Sequence, residues 1–152
     1  MSPGLLHTSL NKAREEICRV GRSLFERGYL HATAGNISMR IEDGFLITPT
    51  DACLGFLDPN DLAHLNADGV QVSGARASKT LALHRRIYQA AQTLSPNTSC
   101  IVHSHSTHLV ALSLQHLPLA TALGPELLAP ITPYFVMKRS EEHTSELVTA
   151  TS

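Results

Sequence analysis

The segment "CIVHSHSTHLV", residues 100–110, carries three of the chain's nine histidines. His103 and His105 follow the apolar pair Ile101-Val102 and straddle one serine. If this run is a strand, residues i and i+2 share a face, and the two imidazoles project together. Such a pair suits a zinc ion, which in a catalytic site takes about three protein ligands and keeps one position open. A third ligand is then required. His108 lies three residues further on, across a strand-to-helix change that turns it away. Spacing alone equally allows a polar strand end whose histidines are hydrogen-bonded or face solvent.

Three upstream stretches offer complementary chemistry. In "TAGNIS", residues 33–38, Gly35 permits close backbone approach and Asn36 supplies both a donor and an acceptor. A turn of this kind can hold an oxyanion or phosphate on its N–H groups, or it can simply be a turn. In "LITPTD", residues 46–51, Thr50 and the Asp51 amide add donors. In "RASKT", residues 76–80, Ser78 stands where a helix starts and Lys79 adds a cation. That combination is an anion site, or else a capped helix with a solvated lysine.

These residues need elements to position them. Leu10, Ala13, Ile17, Val20 and Leu24 recur at helical spacing, which predicts an amphipathic helix over 9–27, capped by Thr8 or Ser9 and ended by Gly28. A strand is expected at Ile37–Arg40, a hairpin turn at "EDG", a second strand at "FLITP" and a short helical turn opened by Asp58-Pro59. Asn66 to Gly69 marks another turn, with "VQVSG" as a strand beyond it. A second helix is expected over 79–94, opened by Ser78, with Leu83, Ile87, Ala90 and Leu94 as its buried stripe. "CIVHSH" reads as a strand, and Ser106 or Thr107 can cap a third helix through "HLVALSLQ". Strands and helices mix without strict alternation, which favours a single α/β sandwich with a largely antiparallel sheet.

Bulk properties set the limits. The 152 residues suffice for one domain with a real core, and the net charge of −1 gives no sign of a nucleic-acid or membrane partner. No apolar run approaches the roughly 18–20 residues of a membrane span. The N-terminus lacks a basic stretch followed by an apolar one, so no signal peptide is expected. Cys18, Cys53 and Cys100 show no CxxC spacing and read as buried, reduced thiols of a cytoplasmic protein. The last segment differs in character. "RSEEHTSEL", from Arg139 to Leu147, matches an in-frame translation of a common sequencing-library adapter. Residues 139–152 are therefore set apart as a non-native tail, with 1–138 as the domain. Without the tail the net charge becomes +1 and His143 leaves the ligand candidates.

Taken in order, "TAGNIS.R", "G.LITPT", the Ser78 helix start and "IVHSHSTH" resemble the class II aldolase/adducin family across residues 9–138. "SKTLALHRRIY", "VHSHSTHLVALS" and "APITPYFVMK" are similar to the wording of its 3-oxo-tetronate 4-phosphate decarboxylases, zinc carboxy-lyases of sugar-acid catabolism. The resemblance implies a three-layer α/β/α sandwich with a mostly antiparallel central sheet, usually assembled as a homotetramer. It implies one Zn2+ per subunit on His103 and His105 plus a third, more C-terminal histidine that lies beyond Lys138 and is missing here. It places Asn36, Thr50, Asp51 (by its backbone), Ser78 and Lys79 at phosphate-binding positions. Thr80 falls where the aldolases carry a catalytic glutamate, which weakens aldol cleavage and leaves Lys79 as the nearest titratable group. The implied reaction is decarboxylation of a phosphorylated sugar acid to dihydroxyacetone phosphate. A sugar-phosphate aldolase or epimerase, or a non-catalytic adducin-like oligomerisation module, are the alternatives. The expectation for this chain is a truncated, impaired fragment with an exposed sheet edge.

Overall fold

The computed structural model describes residues 9–94, 96–105, 107–108, 134–136 and 147–151. Helix α1 spans Leu10–Glu26, and Ser9 caps it by accepting from the Lys12 N–H. Strands follow at β1 (Asn36–Ile41), β2 (Gly44–Ile47), β3 (Ala63–Asn66) and β4 (Gln71–Ser73). Helix α2 spans Leu81–Leu94 and leads to β5 (Cys100–Ser104). Two further strands are β6 (Tyr134–Val136) and β7 (Leu147–Thr151). All pair antiparallel in the order β4-β3-β2-β1-β5-β7-β6.

Alternation along the strands divides the core into two faces. Ile37, Leu46 and the partly buried Met39, Ile41, Cys100 and Val102 pack with Ala13 and Ile17 of α1. On the opposite face Ile101 packs with Ile87 and Tyr88 of α2, while Ile47, Ala63 and Leu65 gather Ala77 and Leu81. One helix thus covers each face, which is the expected α/β/α layering. Each fully buried Ile or Leu contributes roughly 1.5–3 kcal/mol through the water it releases. Arg14 is buried within α1 and ties that helix to the sheet layer. Its guanidinium donates to the Pro59 and Leu62 carbonyls and, at 3.4 Å, to Ser73 Oγ.

The hairpin at Glu42-Asp43, the Asp58 cap and the Asn66 turn fall where the sequence put them. A 3-10 turn at Leu54–Phe56 and strand β3 are additions. Leu10, the first of the apolar residues spaced along α1, is exposed at the helix start. Two expectations for α2 are corrected. Helix α2 begins at Leu81 rather than 79, because Ser78 Oγ accepts from the Thr80 N–H and closes a local turn first. Of the expected stripe, Ile87 is buried with Leu83 packed against it, Ala90 faces solvent, and the side chain of Leu94 lies outside the described residues; His84, Tyr88 and Ala91 complete the buried face. Residues 147–151, within the segment set apart by sequence, form β7 of the sheet. The ladder is made of backbone groups, so "LVTAT" can pair there whatever its origin. Of the expected third helix only Thr107 and His108 are among the described residues.

Candidate active site

Antiparallel pairing gathers the chemistry-bearing stretches at one end of the sheet. Asn36 opens β1 and pairs with His103 near the end of β5, while Ser38 pairs with both Ile101 and Ile47. Directly opposed residues share a face, so Asn36, Ser38, Ile101 and His103 all look toward α2. His105 follows the last residue of β5, half-buried, and its ring centroid lies 5.1 Å from that of His103. His103 is fully buried and donates from Nδ1 to Asn36 Oδ1 at 3.2 Å.

Two loops close over the same end. Thr48 N–H donates to the Ile37 carbonyl, and Ile37 N–H donates to Thr48 Oγ1. Thr50 N–H donates to the Arg76 carbonyl at 2.9 Å and Ser78 N–H to the Thr48 carbonyl at 3.2 Å. The "ITPTD" and "RASKT" stretches are thereby stitched to each other and to the residue beside Asn36. Asp51 sits at φ +58°, a left-handed conformation that costs a non-glycine residue energy and marks a constrained turn. Its carboxylate pairs with Lys79 Nζ at 3.3 Å, and both side chains are exposed. Such a pair is worth little and opens readily. Ser78 is buried, 2.9 Å from Thr80 Oγ1. Gly35, at φ +87°, lets this loop lie against β5: a Cβ there would stand 2.8 Å from the His103 carbonyl oxygen.

Beneath the histidines lies a buried polar chain that sequence reasoning did not find. His84, from α2, donates from Nε2 to Asn36 Oδ1. Its Nδ1 lies 2.7 Å from Ser38 Oγ, which in turn lies 2.9 Å from the Tyr88 hydroxyl. Burial, with a smaller contribution from His103, pushes His84 down to about 3, so its ring is neutral near pH 7. Burial also raises the Tyr88 hydroxyl, which stays protonated. Arg40 covers the Tyr88 ring at 4.6 Å. The signal was present in the sequence, since His84, Ile87, Tyr88 and Ala91 are spaced 3, 1 and 3 along α2. A period count restricted to apolar residues passes over it.

Of the expected site residues, Asn36 and His103 are in direct contact, and Ser78, Thr80, Thr50, Asp51 and Lys79 line the two stitched loops. His108 is exposed in the segment after β5. No group of three potential metal ligands occurs among the described residues. The donor set at His103 and His105 nonetheless fits zinc. Two imidazoles neighbour each other and the inner one has its far nitrogen held by an amide oxygen, as metal-ligating histidines commonly do.

An antiparallel sheet between two helices, with a histidine pair and two polar loops at one end, defines an α/β/α domain with its candidate site at the sheet end. A model of the class II aldolase and adducin N-terminal domain matches residues 15–150, and the chain belongs to that family. It is 54% identical over 129 residues to the 3-oxo-tetronate 4-phosphate decarboxylase of Cupriavidus necator, covering 84% of this chain and 55% of that protein. The protein of the same name from Escherichia coli K12 is 42% identical over 127 residues, covering 82% and 56%. Among solved structures, YgbL from Klebsiella pneumoniae superposes with a TM-score of 0.73 at 30% identity, over 95% of this chain and 80% of that one. The chain spans about half the length of the curated relatives it matches. No helix among the described residues is long and apolar enough to cross a membrane.

Proposed function

We propose that the full-length protein is a zinc-dependent carboxy-lyase that converts a 3-oxo-tetronate 4-phosphate to dihydroxyacetone phosphate and CO2. The observation that carries this reading is the contact of His103 with Asn36 at the sheet end where the two anion-type loops meet. In the substrate the ketone lies β to the carboxylate. The bond from C1 to C2 breaks, CO2 leaves, and its electron pair becomes the enolate of C2 and C3. A proton added at C2 then gives the product. Zinc, when bound, supplies the Lewis acid that stabilises this charge. His103 and His105 are its ligands from this chain, with a third supplied from outside the described residues. Asn36, Thr50, Ser78 and the Asp51 amide hold the phosphate, and that remote binding aligns the carboxylate for departure. Lys79 Nζ, once released from Asp51, serves the phosphate or delivers the proton to C2.

Thr80 stands where the aldolases of the resemblance carry a carboxylate. This favours decarboxylation over aldol cleavage, which needs that group as acid and base. The full-length enzyme is a cytoplasmic homo-oligomer in this reading, and the 152-residue chain, with two zinc imidazoles, is impaired. The test compares this chain with one extended by the sequence found downstream of Lys138 in an independent clone. The extended chain should release CO2 and dihydroxyacetone phosphate in a zinc-dependent way, and His103→Ala should abolish both zinc binding and turnover. The present chain should bind zinc more weakly by well over the roughly 10- to 100-fold that loss of an outer-shell partner costs, since a direct ligand is missing. An aldehyde product in place of CO2, or turnover indifferent to chelators, would overturn the assignment. Stoichiometric zinc and full turnover in the present chain would overturn its reading as impaired.

A further inference from the structure

We propose that His84, backed by Ser38 and Tyr88, is a positioning residue that acts through Asn36 to hold His103 in the tautomer with its proton on Nδ1. The proposal rests on the zinc reading above only for its purpose, since the hydrogen-bond logic stands without a metal. An amide oxygen can only accept, so with Oδ1 facing both rings, His84 Nε2 and His103 Nδ1 must each carry a hydrogen. This holds in either protonation state of His84. In neutral His84, Nδ1 then accepts, which makes Ser38 Oγ–H its donor and leaves Ser38 Oγ to accept from Tyr88 O–H. Every arrow runs one way, from Tyr88 to Asn36, and every hydrogen in the chain is used.

The alternative reverses the amide of Asn36. Its NH2 would then donate to both rings, His84 would carry its hydrogen on Nδ1 and donate to Ser38, and His103 would carry its own on Nε2. Ser38 and Tyr88 would then hold two hydroxyl hydrogens and only one acceptor between them within the chain. Ser38 is fully buried and Tyr88 nearly so, where a hydroxyl without an acceptor is costly. The Tyr88-Ser38 pair therefore selects the first arrangement. His84 transmits that choice across Asn36, and His103 is left with Nε2 as its lone-pair atom. A zinc ligand needs a lone pair on the nitrogen that meets the metal, and the opposite tautomer would first have to exchange its proton.

Long-range 15N–1H correlation spectra of the imidazoles in the metal-free 152-residue chain read the tautomer directly, and competition against a chromophoric chelator reads affinity for Zn2+ alone. In the wild-type chain His103 should be protonated on Nδ1 in at least 90% of molecules, a bias of about tenfold or more. Ser38→Ala and His84→Leu should each let the Nε2–H form rise to a comparable population and weaken Zn2+ binding roughly tenfold. His84→Gln, whose amide NH2 can still donate to Asn36, should recover most of the bias. Tyr88→Phe, which keeps the ring and removes only the hydroxyl, should leave the bias largely intact, because Ser38 O–H still finds an acceptor in His84 Nδ1 only in the first arrangement. Ser38→Ala covers the case in which a His84 variant fails to fold. An Nε2–H tautomer in the wild-type chain, or a His103 tautomer unmoved by Ser38→Ala, overturns the proposal. If the tautomer responds as expected but the extended chain binds no zinc, the carboxy-lyase reading fails and the positioning role stands.

Discussion

At the scale of single residues, Gly35 and His84 carry the sharpest consequences. Gly35 combines a left-handed φ of +87° with a backbone approach that leaves no room for a side chain, since a Cβ would press on the His103 carbonyl at 2.8 Å. Gly35→Ala should cost about 2 kcal/mol or more in urea denaturation, from the backbone strain and the displacement of β5 together. A variant as stable as wild type would show that the loop does not lie against β5. His84 makes stability depend on pH with a definite sign. The unfolded chain protonates this imidazole near its ordinary value of 6.5, whereas the folded chain resists until about 3. The unfolded state therefore binds the extra proton between these values, so the stability this residue contributes is complete above pH 6.5 and is lost as pH falls toward 3. At pH 5 the loss is about 2 kcal/mol. Urea denaturation of the metal-free chain at pH 7 and pH 5 measures it, and His84→Gln should remove about that much of the difference. An unchanged pH dependence in the variant would mean that His84 titrates normally in the folded state.

At the scale of elements, Arg14 joins α1 to the sheet layer by a buried cation that has carbonyls for partners. Arg14→Met keeps the side-chain stem and removes the donors, leaving the Pro59 and Leu62 carbonyls without their hydrogen bonds. The expected cost is about 2 kcal/mol, with Arg14→Lys recovering part of it, both measured by chemical denaturation. A neutral Arg14→Met would mean that water replaces the guanidinium. Elements of this kind differ in how readily sequence shows them. Helix α1, the hairpin at Glu42-Asp43, the Asp58 cap and the Asn66 turn were legible because each rests on local chemistry that a few neighbouring residues determine. Strand β3 was not, since "LAHLN" is short and takes its conformation from β2 and β4 on either side. The stripe of α2 was legible at Leu83 and Ile87 but incomplete, for a different reason. Its buried positions include His84 and Tyr88, which are satisfied by Ser38 from a strand 46 and 50 residues away, and no local pattern reports a partner that distant. The same division runs through the site. Asn36, Ser78 and His103 stood out by motif, while Ser38, His84 and Tyr88, which bind them together, became visible only when β1, β5 and α2 were packed.

At the scale of the whole molecule, the site depends on how β5 is held from both sides. One side is the β1 ladder, in which Asn36 pairs with His103. The other is β7, whose Val148 stands opposite His103 and whose far edge carries β6. The two ladders are unequal in what specifies them. β1 and β5 share buried side chains on both faces, including Ile37, Ile101 and the Asn36-His103 contact, so their register is set by packing as well as by backbone bonds. The β5-β7 ladder belongs to the segment that we read as non-native, and its backbone bonds make no demand on sequence. Thr149→Pro separates the two contributions, because proline in the middle of a paired strand removes a donor and disrupts the ladder. Hydrogen exchange in this variant should deprotect the β5 amides directed at β7, while those directed at β1 keep their protection and the imidazole spectra of His103 stay unchanged. The newly opened edge should also make the variant self-associate with rising concentration, which sedimentation velocity detects. If instead the β1-facing amides lose protection together with the rest, β5 owes its position to β7, and the Asn36-His103 contact depends on that pairing as well.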